Sequence, residues 1–333
     1  MLEREVVVVT GASAGIGRAT VREFARHKAR IALIAREPER LEAARLEAEQ
    51  LGAQAIAIPA DTSDFQALDA AAERVERELG PIDIWVNNAM VTIFAPFDQI
   101  APDDYRRVTD VTYHGFVWGT MVALKRMRPR NRGVIVQVSS ALSHRSIPLQ
   151  SPYCGAKHAI KGFTDSLRTE LEHDRSAVHV TLVDMPGVNT PQFEWCKTTL
   201  THHPKPVGTC YQPEVAARAV YWAAHTRRAE ICVGYPTLGV VLAQKFVPRL
   251  LDRYLARTGV SGQQGPQPIP ADRPNNLWHP VPGSYAARGT FGEHAWSVSP
   301  EFWATRNRAW LWAGVGLAGA VIGLRGLRRP RHH

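Results

Sequence analysis

The chain has 333 residues, of which 45% are hydrophobic and 21% are charged, and its formal net charge is +9. Such a length can bury a large core without disulfide or metal staples, and the balanced composition excludes wholesale disorder. After residue 300, six arginines face a single acid, so the positive charge is concentrated in the tail. This distribution argues against a nucleic-acid-binding face on the rest of the chain.

Short apolar runs alternate with segments of helical spacing over residues 1–235. The predicted strands cover residues 5–9, 30–35, 53–58, 82–86, 134–139, 179–183 and 230–233. The predicted helices cover residues 15–27, 38–51, 64–79, 103–127, 153–173 and 213–225. This alternation predicts an α/β fold: a Rossmann-like, doubly wound parallel sheet of about seven strands, with helices on both faces.

The chain beyond residue 235 departs from this plan and forms a C-terminal extension. Apolar residues at helical spacing predict one additional helix over 236–257. Residues 258–300 form a Pro/Gly-rich extension, and six Gly and six Pro within 258–292 predict no regular structure there. This stretch is either an ordered surface wrap or a mobile linker. Residues 301–333 are predicted to form an apolar helix with basic flanks.

The uncharged stretch 309–324 is the candidate membrane contact. It is shorter than the roughly 20 residues of a typical spanning helix. However, Trp310 and Trp312 at one end and arginines at both ends resemble interface anchors. We expect membrane contact through residues 309–331. The alternative is a helix docked on the protein's own surface or on a second subunit.

The cysteines and the start of the chain favour a cytoplasmic location. Four scattered cysteines form no CxxC pair, which is typical of a reducing compartment. The first predicted strand starts at residue 5 and leaves no room for a cleavable leader.

A glycine-rich turn separates the first predicted strand from the first helix. Gly11 permits a tight turn, Gly15 lets the backbone approach a pyrophosphate, and Gly17 lets the helix pack close to the strand. The strand before the turn and the helix after it predict a dinucleotide site. The alternative is an ordinary glycine-rich loop.

This GxxxGxG spacing resembles that of the short-chain dehydrogenase/reductase family, and four further motifs follow in register over about residues 1–235. Asn87-Asn88-Ala89 resembles the family's NNAG, and Tyr153 to Lys157 reads YxxxK. Ser140 precedes Tyr153 by the usual interval. Pro186-Gly187 followed by Thr190 resembles the PGxxxT turn on the nicotinamide side.

The resemblance implies a nicotinamide nucleotide cofactor, with Asp61 near its adenine. The candidate cofactor-binding residues are Gly11, Ser13, Gly15, Ile16, Gly17, Arg36, Asp61, Thr62, Asn88, Ala89, Tyr153, Lys157, Pro186, Gly187, Val188 and Thr190. The second strand ends without the acid that would bind a ribose 2′-hydroxyl, and Arg36 follows it. Because Arg36 can bind a 2′-phosphate, we predict NADP(H) over NAD(H). The alternative is that Arg36 is a solvated loop residue.

The candidate catalytic residues are Ser140, Tyr153, Lys157 and Thr112. Tyr153 and Lys157 share one helix face, and a nearby ammonium stabilises a phenolate, so Tyr153 is predicted to be the general acid/base. Ser140 is predicted to hold the substrate oxygen. Thr112 stands where the family places an Asn that helps to relay protons, and it could serve through its hydroxyl or its backbone carbonyl.

Met90 replaces the last glycine of NNAG. It is predicted to narrow the nicotinamide pocket, to line the substrate site or to pack in the core. The segment 191–212 corresponds to the family's substrate-covering loop. Its large or aromatic residues are Phe193, Trp195, Leu200, His202, His203 and Tyr211. They predict a small hydrophobic carbonyl or alcohol substrate. His144 is expected either to face this pocket or to lie on the surface.

The sequence therefore predicts an oxidoreductase that interconverts a ketone or aldehyde and an alcohol. The spacing of Cys196, His202, His203 and Cys210 matches no structural zinc pattern, so no metal is expected. The family resemblance implies a homo-oligomer, and no nucleic-acid partner is expected. The alternatives are a catalytically silent cofactor-binding sensor and a membrane-tethered scaffold with the same fold.

Overall fold

Strands and helices alternate along most of the computed structural model, which describes residues 4–270, 272–308 and 310. The strands of this part are β1 (Val6–Thr10), β2 (Arg30–Ala35), β3 (Gln54–Pro59), β4 (Ile84–Asn87), β5 (Ile93–Phe94), β6 (Val134–Ser140), β7 (His179–Met185), β8 (Gly187–Val188), β9 (Lys197–Thr198), β10 (His202–Pro204), β11 (Cys210–Tyr211), β12 (Glu230–Cys232), β13 (Gln264–Pro268) and β14 (Ala295–Trp296). The α-helices are α1 (Gly15–Arg26), α2 (Pro38–Gln50), α3 (Phe65–Leu79), α4 (Pro102–Thr109), α5 (Gly115–Met127), α6 (Ser151–His173), α7 (Gln192–Trp195), α8 (Pro213–Ala224), α9 (Tyr235–Phe246), α10 (Pro248–Thr258) and α11 (Pro300–Arg306).

The central sheet has seven parallel strands in the order β12-β7-β6-β4-β1-β2-β3. The valine run of β1 is fully buried, as expected of a parallel strand that is covered on both faces. Val7 and Val9 pack into one core cluster and Val6 and Val8 into another, because successive strand residues point to opposite faces. The predicted Rossmann-like, doubly wound sheet is confirmed.

Helices cover both faces of this sheet. Side chains of α1, α2 and α8 pack into the first core cluster, and side chains of α3, α5 and α6 pack into the second. The chain runs outward from β1 through β2 to β3, and then returns to place β4 on the other side of β1. A crevice forms where the strand order reverses, at the carboxyl ends of β1 and β4.

The predicted long helix over 103–127 contains one irregular turn. α4 and α5 are joined by a single π-helical turn, Asp110–His114, so the helix continues but widens there. Single π turns of this kind often lie at functional sites. Thr112 lies in this turn.

The additional helix predicted over 236–257 is two helices. The break falls at Val247, which has an extended φ of −136°, directly before Pro248. Proline disfavours a helical conformation in the residue before it, and it is well tolerated in the first turn of a new helix. The helical spacing on both sides of the break concealed it.

The Pro/Gly-rich stretch is an ordered surface wrap in the described residues. Contrary to the prediction of no regular structure over 258–292, β13 pairs antiparallel with β10. Beyond that range, β14 pairs with β11. The prolines of β13 are tolerated because this strand pairs on one side only.

Of the tail helix predicted over 301–333, the structure describes the start, where α11 ends at Arg306; the uncharged stretch 309–324 lies outside the described residues, apart from Trp310. Among the helices that the structure describes, none combines the length and apolar character needed to cross a membrane.

Candidate active site

Glycines close the turn between β1 and α1 because side chains would not fit there. A Cβ on Gly17 would lie 2.1 Å from the carbonyl oxygen of Gly11. Gly11 has a φ of +65°, which L side chains rarely adopt, and a Cβ there would lie 2.8 Å from the Cα of Ala89. These glycines let α1 start close against the ends of β1 and β4. Gly17 has this packing role and lines neither of the cavities described below.

A cleft opens beside this turn, at the carboxyl ends of β1 and β4 where a dinucleotide is expected to bind. α1 begins at Gly15 without a side-chain cap; the Gly15 N–H donates to the Ala286 carbonyl, and the positive end of the helix dipole favours an anion such as a pyrophosphate. The predicted cofactor-binding residues that line this cavity are Gly11, Ser13, Gly15, Ile16, Arg36, Asp61, Thr62, Asn88, Ala89 and Thr190. The sequence motifs alone had therefore pointed to these lining residues.

Asn88 fastens the glycine turn to the end of β4. Its side-chain amide donates to the carbonyl oxygen of Thr10 at 2.9 Å, and its backbone N–H donates to the Thr10 hydroxyl at 2.9 Å. The backbone N–H of Ala89 donates to the same hydroxyl at 3.1 Å. The NNA sequence therefore holds the wall of the cavity in place.

Arg36 and Asp61 lie beyond the glycine turn. The Arg36 guanidinium donates to the backbone carbonyls of residues 276–278 and lies 3.9 Å from the Asp61 carboxylate. Burial favours the neutral form of Asp61, but hydrogen bonds from Arg107 and Ser63 outweigh it and lower the pKa of this carboxyl. The predicted adenine-side acid is thus ionised and already paired.

A second cavity, of about 1410 Å³, contains the predicted catalytic side chains. Ser140 lies at the end of β6, and Tyr153 and Lys157 reach the cavity from adjacent turns of α6. Pro186, Gly187 and Val188 also line it. The residues shared by both cavities are Ile16, Asn88, Met90, Thr190 and Gln192. The two cavities are therefore adjacent, and the predicted catalytic side chains lie next to the dinucleotide cavity.

Lys157 is almost completely buried, with 2% of its surface exposed. Its ammonium donates to the carbonyl oxygen of Val138 at 2.8 Å and lies 4.6 Å from the centre of the Phe116 ring. Burial lowers the pKa of Lys157 to about 7, and the Asp184 carboxylate acts in the opposite direction. A positive charge on this lysine therefore depends on nearby negative groups.

Burial also controls the protonation of Tyr153. It raises the pKa of the phenol above its ordinary value, and a hydrogen bond with Ser140 opposes this shift. Tyr153 is therefore a neutral hydroxyl at neutral pH and can donate a proton. It needs added positive charge beside the ring before it can act as a base.

A family model described as short chain dehydrogenase matches residues 5–199, which is more than half of the chain. The chain belongs to the short-chain dehydrogenase family. It is therefore an NAD(P)-dependent oxidoreductase acting on CH–OH groups, as the sequence motifs predicted.

Curated relatives from distant organisms agree with this assignment. An uncharacterized oxidoreductase of Bacillus subtilis, YxnA, is 32% identical over 83% of this chain and 76% of its own length. An 11-beta-hydroxysteroid dehydrogenase-like protein of Arabidopsis thaliana is 35% identical over 56% of this chain and 59% of its own length. The match with the Arabidopsis protein thus spans less than two thirds of that relative.

Solved structures share the fold. A short-chain dehydrogenase from Streptomyces avermitilis superposes with a TM-score of 0.66 over 78% of this chain and 98% of that chain, at 23% identity. A metagenomic short-chain oxidoreductase in complex with NADP gives a TM-score of 0.58 over 69% of this chain and 96% of that chain, at 27% identity.

Two positions depart from the short-chain dehydrogenase pattern. The buried Thr112 hydroxyl donates to the carbonyl oxygen of Val91 at 2.8 Å and accepts from its N–H at 3.1 Å. Thr112 lines neither cavity, so a relay role for it stays a prediction and would use its backbone carbonyl. Met90 lines both cavities, so its side chain lies at their junction.

Sequence reasoning missed a charged network behind the catalytic residues. His144 lies 3.1 Å from the Asp184 carboxylate and 3.4 Å from that of Glu230, and Lys161 pairs with Glu230 at 2.6 Å. Ser143 bridges Asp184 at 3.1 Å to the carbonyl oxygen of Ser140 at 2.7 Å. His144 thus points into this network, and neither expectation for it, pocket or surface, was right.

The apolar wall of the second cavity, which contains Ser140, Tyr153 and Lys157, comes only in part from the predicted loop 191–212. Among the large or aromatic residues of this loop, Phe193 lines the second cavity and Trp195 lines the dinucleotide cavity. Tyr211 is fully buried in the core. The apolar residues that line the second cavity from α9 and α10 are Val240, Leu251, Tyr254 and Leu255. Their helical spacing was visible in the sequence, but nothing in it showed that they face this cavity.

Proposed function

We propose that the chain is an NADP(H)-dependent oxidoreductase that interconverts a hydrophobic ketone or aldehyde and the corresponding alcohol. Tyr153 acts as the general acid/base. One observation carries this proposal: Ser140, Tyr153 and Lys157 line an apolar cavity that is adjacent to the glycine-turn cavity and shares five lining residues with it.

Tyr153 moves the proton that balances hydride transfer. In reduction its hydroxyl donates a proton to the carbonyl oxygen while the carbonyl carbon gains hydride. In oxidation its phenolate takes the proton of the alcohol. The nicotinamide, when bound, supplies or accepts the hydride. Ser140 holds the substrate oxygen beside Tyr153, and Lys157 favours the phenolate by its charge.

The lining of the second cavity supports the proposal of a hydrophobic substrate. Its apolar residues outside α9 and α10 include Met90, Phe94, Leu142, Ile147, Val188 and Phe193. Apolar walls with a few placed polar groups are typical of sites for small hydrophobic ligands. The Arabidopsis relative is named for a hydroxysteroid, which belongs to this chemical class.

Replacing Tyr153 with Phe tests the catalytic assignment. Turnover of a carbonyl and alcohol panel should fall by about 10²–10⁴-fold, because the proton donor is lost. Cofactor binding, followed by fluorescence, should be unchanged. Tyr221→Phe on α8, which lines neither cavity, is the matched control. Full turnover by Tyr153→Phe would refute the role, and cofactor binding without turnover in the unsubstituted chain would favour the sensor.

The cofactor preference rests on charge at the end of β2. Arg36 and Arg40 line the dinucleotide cavity. The neighbouring acid, Glu37, accepts hydrogen bonds from the backbone N–H groups of Glu39 and Arg40 at the start of α2. Glu37 also lines this cavity, but its carboxylate accepts from these two amides and lies 3.7 Å from Arg40, so the two arginines outweigh it and favour a 2′-phosphate.

Steady-state kinetics with both cofactors test this preference. NADP(H) should give the higher kcat/KM. Arg36→Leu should lower kcat/KM for NADP(H) by about 10–100-fold more than for NAD(H), because the loss of its hydrogen bonds to residues 276–278 affects both cofactors alike. Arg26→Leu, at the end of α1, is the matched control. Higher efficiency with NAD(H) in the unsubstituted chain would contradict the preference.

We also propose membrane contact through residues 309–331, self-association into a homo-oligomer and a cytoplasmic location. The first is supported by the apolar stretch with basic flanks. The others rest on family resemblance and on the scattered cysteines.

A further inference from the structure

Residues 276–289 form a strap beside the dinucleotide cavity. Asn276 and Pro280 line this cavity together with Arg36 and Asp61. One wall of the cavity therefore comes from the sheet and its loops, and another comes from the C-terminal extension.

Two side chains anchor the first half of the strap. Leu277 is fully buried in a cluster with Val108 of α4. The Trp278 indole donates to Asp104 at 2.9 Å, and the Arg107 guanidinium lies 5.5 Å from the indole ring centre. This half of the strap is thus docked on α4 by packing, a hydrogen bond and a cation–π contact.

Three arginines hold the strap through its backbone. Arg36 donates to the carbonyls of residues 276–278, and Arg107 donates to the Leu277 carbonyl at 3.2 Å. Arg40 donates to the carbonyls of Val281 and Gly283. Arg36 and Arg40 also line the cavity, so the strap fixes the positions of the cations that face a bound dinucleotide.

The second half of the strap is fastened to the glycine turn. The Gly15 N–H donates to the carbonyl oxygen of Ala286 at 3.1 Å, and Arg18 donates to that of Tyr285 at 3.2 Å. Ala287 is fully buried against Ala19 of α1. The strap therefore borders the cavity from Arg36 to the start of α1.

The order of groups along the two cavities sets the direction of the cofactor. A nicotinamide dinucleotide bound there would have its reacting end beside Tyr153 and its pyrophosphate beside the glycine turn, so its other half would extend towards Arg36. We infer that the strap encloses this other half, and that the cofactor enters and leaves when the strap opens. This inference rests on the proposed use of the cavity for a nicotinamide dinucleotide.

Cofactor release kinetics test the enclosure. NADPH release from the full chain is followed by stopped-flow fluorescence after a chase with excess NADP. Trp278→Ala should speed release by at least about tenfold, since weakened docking is expressed mainly in the dissociation rate. Trp278→Phe keeps a ring beside Arg107 but loses the bond to Asp104, so its rate should be intermediate. Trp303→Ala, an exposed residue of α11, should match the unsubstituted chain.

Limited trypsin digestion of the unsubstituted chain gives a test that needs no variant. Arg288 lies in the strap with 59% of its side chain exposed. Saturating NADPH should slow cleavage after Arg288 and leave cleavage after Arg257, at the end of α10, unchanged. A release rate of Trp278→Ala within about twofold of the unsubstituted chain, or unchanged cleavage after Arg288, would overturn the inference.

The inference and the proposed function fail in different ways. If neither NADPH nor NADH binds the unsubstituted chain, the proposed function fails. If either binds while the release rate and the cleavage stay unchanged, the strap inference alone fails.

Discussion

Asp184 interacts with both sides of the proposed catalytic site, at Ser140 and at Lys157. Its carboxylate contacts Ser143, whose hydroxyl also contacts the Ser140 carbonyl, and its charge favours the protonated form of Lys157. Burial raises the pKa of Asp184, and His144 acts against this shift. The positive His144 therefore favours the ionised form of this buried carboxyl, which lies behind the proposed catalytic residues.

The stability of this network should depend on pH through His144. Hydrogen bonds with Asp184 and Glu230 raise the pKa of His144 from 6.5 to about 9. Because the folded state holds the proton more tightly, the added stability is complete below pH 6.5 and is lost as the pH rises through about 9. His144→Gln should lower the Tm at pH 6 by roughly 2–4 °C, for a loss on the order of 1 kcal/mol, and this difference should shrink towards pH 9.

Thermal unfolding followed by circular dichroism across this pH range is the measurement. His158→Gln, at an exposed position of α6, is the control and should follow the unsubstituted chain. A difference between His144→Gln and the unsubstituted chain that stays constant with pH would show that the ion pair is not its source.

The predictable residues of the site are those with fixed spacing along the chain. Tyr153 and Lys157 are one helical turn apart on α6. Gly11 and Gly17 lie on either side of the short connection between β1 and α1. Asp184 and Glu230 could not be found in this way. They meet His144 only because β7 and β12 pair in the sheet, and a single sequence does not contain that pairing.

The type of each secondary-structure element could be predicted from its pattern of buried apolar residues, but the irregularities within elements could not. The all-valine run of β1 reads as a covered parallel strand in any context. The π turn at Asp110–His114 keeps helical spacing on both sides, so the pattern of apolar residues does not reveal it. The break at Val247 had a local cause in Pro248, and the same pattern concealed it.

The strap shows a different limit at the scale of elements. Its order comes from arginines of the first hundred or so residues that bind backbone carbonyls of residues 276–283. Carbonyl acceptors are the same in every residue, so composition cannot show which segment an arginine will hold. Gly and Pro therefore indicated correctly that the stretch is irregular over much of its length, and could not indicate that it is ordered.

At the scale of the whole molecule, the second cavity lies beside an exposed apolar and basic surface on α9 and α10. Leu242 and Phe246 of α9 and Leu250 and Tyr254 of α10 are exposed. The exposed cations of the same two helices are Lys245, Arg249, Arg253 and Arg257. Tyr254 also lines the second cavity, so this exposed surface adjoins the cavity that is proposed to take a hydrophobic substrate. Apolar side chains among cations are the kind of surface that binds anionic lipid.

Vesicle flotation tests whether the tail contributes membrane contact. The full chain should float with vesicles that contain anionic phospholipid and should bind neutral phosphatidylcholine vesicles less, because arginines flank the apolar stretch at both ends. A chain that ends at Arg308 should lose most of this binding, while its cofactor affinity should stay unchanged because the strap and both cavities are retained. Equal flotation of the two chains would place the contact on α9 and α10 instead. If neither chain floats, membrane contact through residues 309–331 is refuted, and the apolar stretch must be covered by protein.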